Sequence, residues 1–175
     1  MDAAHFVHGA FLGYLWCFVR LFVRSPSGRK RLNVLGALDF ATKQLTAITN
    51  TTYVTSTTVC ELLQLVVAQN PGVPLTLVLD NARYQHCQLV QNLAAELNVE
   101  LLFLPSYSPN LNLIERLWKY VKKDCLNSKY YETFAHFQSA ITDCLARINS
   151  EGKSDMKSPI SRNFQLFDNQ TFLSL

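Results

Sequence analysis

Two carboxylates stand where apolar runs of the chain give way to polar residues. Leu75-Thr-Leu-Val-Leu-Asp80-Asn81 ends in the first, and Leu101-Leu-Phe-Leu-Pro-Ser-Tyr-Ser-Pro-Asn-Leu-Asn-Leu-Ile-Glu115-Arg-Leu-Trp118 carries the second, with 34 residues between the two acids. A carboxylate at the end of a buried strand can coordinate a hard cation, and ligands usually bind beyond the strand ends of a parallel sheet. The pair reads as half of a metal site. Each acid also has a structural use: Asp80 suits a turn or helix cap, and Asn112-Leu-Ile-Glu115 fits a capping box. Asp39, which closes Gly36-Ala-Leu, is a rival for a further carboxylate.

Other polar groups flank these acids. Asn81 and His86 bound the loop that follows Asp80 and can orient water or a substrate phosphate, although His86 can equally cap the next helix. Helical spacing puts Leu113, Leu117, Tyr120 and Val121 on an apolar face, and Glu115, Trp118, Lys119 and Lys122 on a polar one. An acid beside an aromatic and two lysines looks toward something anionic. Basic residues form two groups, Lys119, Lys122 and Lys123 near Glu115, and Arg29, Lys30 and Arg31 at a hairpin tip. As contacts to DNA phosphates they would make binding salt-sensitive; as surface residues they are simply solvated.

The elements that must hold these groups follow from periodicity. Apolar residues over 10–23 read as a strand, Ser25-Pro-Ser-Gly28 as a turn, and Leu32 to Asp39 as a second strand completing an antiparallel hairpin. Lys43 to Ile48 suits a third, half-buried strand. From Thr57 the period becomes helical through Val59, Leu62, Leu63, Val66 and Val67, until Asn70-Pro71-Gly72 stops it. A strand at 75–79, a helix at 87–97 and a strand at 99–104 then form a strand–helix–strand unit, and helices follow near 113–125 and 134–148. Antiparallel strands that give way to alternating strands and helices describe an α/β domain, a mixed sheet covered on both faces.

Composition narrows the class. With 175 residues, 49% hydrophobic and 17% charged, the chain can bury one ordinary core, and its net charge of +3 permits an anionic partner without requiring one. Five scattered cysteines with no Cys-x-x-Cys pair suit buried thiols in a reducing compartment. The most apolar stretch, Phe6 to Val23, is interrupted by His8 and Arg20, and Met1-Asp2 lacks a positive flank, so no membrane span is expected.

Asp80-Asn81 at a strand end, followed by Leu104-Pro-Ser-Tyr-Ser-Pro-Asn-Leu-Asn-Leu-Ile-Glu115-Arg-Leu-Trp118, closely resembles the catalytic core of mariner-like transposases, especially their bacterial insertion-sequence branch. The likeness extends from Asp2-Ala-Ala-His-Phe6 through Asn33-Val-Leu-Gly-Ala-Leu38 to the helix ending near Lys123, roughly two thirds of the chain. It implies a ribonuclease-H-like catalytic domain over 1–150 with a tail at 151–175, and a DDE triad of Asp2, Asp80 and Glu115. Such a triad would hold two Mg²⁺ ions, with Mn²⁺ able to substitute, about 3.5–4 Å apart for phosphodiester chemistry. Asp80 would help hold both ions, and Asp2 and Glu115 one each. Tyr107 and Asn112 belong to the matched loop and would shape the rim of the site.

The sequence departs from the family at its start. There the first Asp follows several apolar residues of the central strand, whereas Met1 alone precedes Asp2, so a shortened strand is expected. No helix-turn-helix region precedes it either, so the expectation is a catalytic domain without its own sequence reader. The implied activity is metal-dependent DNA cleavage and strand transfer at transposon ends and target. The chain would work as a homodimer or with a full-length transposase, in a bacterial cytoplasm on nucleoid DNA. Two alternatives are a non-catalytic remnant that binds DNA or a transposase, and a nuclease acting on RNA–DNA hybrids.

Overall fold

The computed structural model describes residues 1–9, 17–19, 22, 30–105 and 111–150. Along the chain these form β1 (Asp2–Val7), β2 (Arg31–Leu38), β3 (Leu45–Asn50), α1 (Ser56–Gln69), β4 (Leu75–Leu79), α2 (Gln88–Glu96), β5 (Val99–Phe103), α3 (Leu113–Leu126) and α4 (Phe134–Ser150). Strands β1, β2 and β3 make an antiparallel sheet, with Asp2 opposite Gly36 and Leu38 opposite Leu45. Strands β4 and β5 pair in parallel, Leu75 with Val99 through Leu79 with Phe103, and α2 is the crossover between them. A parallel pair needs such a crossover, because a tight turn cannot reverse the chain twice.

Helices cover both faces, and so β2 is buried without alternation from Leu32 to Ala37, apolar except for Asn33, whose side chain is hydrogen-bonded to Asn50 and Thr52. One core gathers Phe6, Leu32, Val34, Leu45, Leu117 and Phe137 under α3 and α4. The other gathers Met1, Leu35, Leu62, Leu63, Leu79 and Val90 under α1 and α2. Helix α1 starts at a capping box in which Thr55 and Thr58 satisfy each other's backbone N–H. At the far end of the molecule, the Asn149 side chain accepts from the Leu45 N–H and donates to the Leu45 carbonyl, both at 2.8 Å, fastening the last turn of α4 to β3.

Three expectations change. The strand that pairs with β2 is Asp2–Val7, while 10–16, 20–21 and 23–29, with most of the expected strand, the turn and Arg29, lie outside the described residues, and 17–19 and 22 of the expected strand are not in a strand. The expected mixed sheet comes as two pieces, a three-stranded antiparallel sheet and a two-stranded parallel one. They meet where the Met1 amino group donates to the Val78 carbonyl at 2.6 Å. Trp118 is not on a polar face: it is 4% exposed and lies in the core. The cause is Gly36, since a Cβ there would stand 2.8 Å from the indole Cη2. A missing side chain on β2 thus makes room for a large one on α3.

Candidate active site

Asp2 is the first residue of β1, Asp80 directly follows β4, and Glu115 lies in the first turn of α3. One residue joins the three elements. The Met1 amino group reaches the carbonyl of Val78, two positions before Asp80, and the Met1 carbonyl accepts from the side chain of Asn112, the residue that opens α3, at 3.3 Å. Asn112 is buried, and its amide spans the two elements instead of capping α3, so the capping-box reading of Glu115 is not realised. Only the Glu115 N–H meets the Asn112 carbonyl, at 3.2 Å.

The acids sense one another electrostatically. The Asp2 carboxyl is pushed up from 3.8 to about 6, first by burial and then by the negative charges of Asp80 and Glu115, against the Ala3 N–H and the Met1 ammonium. Glu115 is also raised, by burial first and by Asp80, while the Lys119 ammonium pulls the other way. Burial lowers the Met1 amine from 8.0 to about 6 although Asp2 and Asp80 favour its charge. Tyr84 joins this group. Its hydroxyl is pushed up to about 12 by burial and by the charges of Asp80 and Asp2, and it stays protonated at neutral pH. No spacing in the loop from Asn81 to His86 singles Tyr84 out, so sequence reasoning passed over it.

The remaining expected residues divide. Lys119 is exposed and close enough to Glu115 to act on its charge, and Lys122 and Lys123 are exposed further along α3. Lys122 also stands over the Phe6 ring, 6.0 Å from its centre. Asn81 donates to the Leu104 carbonyl at 2.7 Å, tying the ends of β4 and β5 together. His86 sits edge-on to Phe103 with ring centres 4.4 Å apart. Lys30 lies 5.9 Å from the Phe134 ring centre, while Arg31 stacks over Tyr53 at 4.8 Å and donates to the Thr52 carbonyl. Asp39 accepts from the N–H groups of Ala41 and Thr42 at 2.6 and 2.8 Å, which makes it a turn carboxylate. Tyr107 lies outside the described residues.

Among the described residues, the metal-binding side chains that bring three ligand atoms within 4.8 Å of one another are Asp124, Cys125 and Cys144, between α3 and α4. Arg147 already pairs with Asp124 there at 2.7 Å, so a cationic group occupies that position. Asp2, Asp80 and Glu115 form a wider set of hard oxygen donors whose repulsion a divalent cation would relieve. Mg²⁺-type ions take few carboxylates and complete their shells with water and substrate oxygens, so an open set of this kind fits them. Among the described residues no helix is long and apolar enough to cross a membrane.

A family model described as DDE superfamily endonuclease matches residues 19–138, a span that contains Asp80 and Glu115 but not Asp2. The uncharacterized protein y4pE/y4sA of Sinorhizobium fredii (strain NBRC 101917 / NGR234) is 30% identical over 78 residues, 45% of this chain and 53% of that protein. The chain thus spans about half the length of the curated relative it matches. Its structure is similar to the Mos1 transposase paired-end complex with left transposon end, with TM-score 0.62 and 13% identity over 95% of this chain and 55% of that one. It is similar also to the Mos1 mariner paired end complex with Mn, with TM-score 0.61 and 14% identity over 95% of this chain and 55% of that one. At such identities the likeness establishes the fold, which is ribonuclease-H-like.

Proposed function

This chain belongs to the DDE superfamily of endonucleases, and from that premise we propose that Asp2, Asp80 and Glu115 serve metal-dependent cleavage of DNA phosphodiesters and strand transfer in transposition. What supports the assignment is the convergence of three acids drawn from β1, the end of β4 and the first turn of α3, near enough that, beside the larger effect of burial, Asp80 and Glu115 raise the Asp2 carboxyl and Asp80 raises that of Glu115. A cluster of like charges is unfavourable by itself and becomes favourable around a cation.

The three carboxylates would hold Mg²⁺ or Mn²⁺, which supplies a water of lowered pKa and neutralises charge at the leaving oxygen. The chain's own residues do the positioning. Asn112 anchors the Met1 carbonyl and so fixes where Asp2 leaves the strand. Lys119, one turn beyond Glu115, offers its ammonium to a DNA phosphate at the edge of the site, and Lys122 and Lys123 continue that basic strip. The protonated Tyr84 hydroxyl is available as a hydrogen-bond donor to a phosphate oxygen. The mariner-like complexes with a transposon end and with Mn favour DNA as substrate and a divalent ion as cofactor, with a second copy or a longer transposase completing the assembly.

Calorimetric titration of Mn²⁺ and of Mg²⁺ into the folded chain tests this reading. We expect binding in the unaltered protein and its loss in Asp80→Ala and Glu115→Ala, together with cleavage of duplex DNA in preference to RNA–DNA hybrid. A folded chain that binds neither ion overturns the catalytic assignment and leaves a DNA- or transposase-binding role.

A further inference from the structure

Helices α3 and α4 meet at two sulfurs. Cys125, in the last turn of α3, and Cys144, within α4, are both buried, and their Sγ atoms and the Asp124 carboxylate all lie within 4.8 Å of one another. A core thiol ordinarily sits among apolar groups and is inert. This pair has a charged cover instead. Arg147, one turn beyond Cys144 on the same face of α4, bonds to Asp124 at 2.7 Å, and the two side chains are 57% and 33% exposed. The sulfurs thus lie directly beneath a surface ion pair. An exposed pair of this kind holds weakly, so its opening gives a small oxidant a way in.

The two thiols are not equivalent. The Cys125 S–H donates to the Ala140 carbonyl, one turn before Cys144, at 3.6 Å, and can turn to the Cys144 sulfur once that is ionised. That hydrogen bond, helped by the Arg147 guanidinium and opposed by burial and Asp124, holds the Cys144 thiol below its usual range. The same bond and burial hold the Cys125 thiol up. Cys144 is therefore the nucleophile and Cys125 the partner that keeps its proton. A disulfide needs about 2 Å between sulfurs, and a hop between staggered χ1 wells carries an Sγ by about 3 Å. Side-chain motion covers the remaining distance.

We propose that Cys125 and Cys144 are a redox-active pair, which hydrogen peroxide converts into a disulfide that clips α3 to α4. The Cys144 thiolate attacks one peroxide oxygen; an S–O bond forms, the O–O bond breaks, and the departing hydroxide takes up a proton to become water. The Cys125 sulfur then attacks the sulfenic sulfur of Cys144. The S–S bond forms, the S–O bond breaks, and the hydroxyl leaves with the Cys125 proton as a second water. Two electrons pass from the sulfurs to the peroxide, and a dithiol reductant returns them. The bridge closes residues 126–143 into a ring. It ties the helix that carries Glu115 to the helix that fastens β3 through Asn149. None of this depends on the chemistry assigned to the acids.

The test treats the full folded chain with hydrogen peroxide, blocks the remaining thiols by alkylation and maps the peptides by mass spectrometry. We expect a Cys125–Cys144 bridge within one chain, its removal by dithiothreitol, and a thermal midpoint higher by about 5 °C or more in the oxidised form. Dimedone, which captures sulfenic acids, should label Cys144 in Cys125→Ser at least tenfold more than Cys125 in Cys144→Ser. Arg147→Gln should slow bridge formation severalfold. The half-buried Cys60 and Cys87 serve as internal reference. Oxidation of those two with Cys125 and Cys144 left as thiols overturns the proposal, whether or not the serine variants fold. A bridge that forms in urea and not in the folded chain overturns it too, because the packing of α3 on α4 would then play no part.

Discussion

Asp2 and the Met1 amine sit side by side and titrate with opposite consequences. Folding raises the Asp2 carboxyl from 3.8 to about 6, so between these values the folded chain holds a proton that the unfolded chain has lost. That stabilisation is complete below pH 3.8 and disappears as pH rises through 6. Folding lowers the amine from 8.0 to about 6, so the unfolded chain is the proton holder between 6 and 8, and stability returns as pH rises there. Each limb amounts to about 3 kcal/mol at most. The expected outcome for the metal-free protein is a stability minimum near pH 6 in urea titrations. Asp2→Asn should flatten the acid limb and acetylation of Met1 the alkaline one; an unchanged profile in Asp2→Asn would contradict the coupling. Asp80 and Glu115 were legible because each is an acid at the boundary of an apolar run. Asp2, with one residue before it, was visible only through family likeness, and Tyr84 was not visible at all, since a loop carries no periodicity to mark it.

At the level of elements, the position of α3 depends on two contacts that local sequence cannot display. Trp118 rests on Gly36, and Asn112 on the Met1 carbonyl. The helix periodicity of α3 was read correctly, but its apolar stripe is wider than the spacing suggested, because the space for an indole is created on another strand. Gly36→Ala should destabilise by about 1–3 kcal/mol through overpacking. Trp118→Leu placed on that background should recover part of the loss, and additive effects in the double-mutant cycle would argue against direct contact. Asn112→Ala leaves the Met1 carbonyl without its side-chain donor, at a cost of about 1–3 kcal/mol. Because that bond links Asp2's neighbour to the helix of Glu115, Mn²⁺ affinity measured by calorimetry should also fall, by roughly tenfold, which is about 1.4 kcal/mol. Lys119→Ala should weaken duplex binding with little change in fold and lower the slope of log affinity against log salt by about 1.

The described part of the molecule is two cores packed against an antiparallel sheet and a parallel one, which meet at Met1. The order of elements, and hence the α/β class, followed from the switch of hydrophobic period at Thr57. The interruption between β2 and β4 did not, since which strands touch is settled by packing between distant segments. Asn149 carries a consequence of a different kind. Strand β3 is the outer edge of the antiparallel sheet, and an exposed edge is a template on which another chain can build. A side-chain amide has one donor and one acceptor at nearly the spacing of a peptide group, and the Asn149 amide fills both bonding positions of Leu45. A single asparagine thereby imitates the first residue of a strand that never arrives. At Leu45 the two positions that a neighbouring strand would use are therefore already taken.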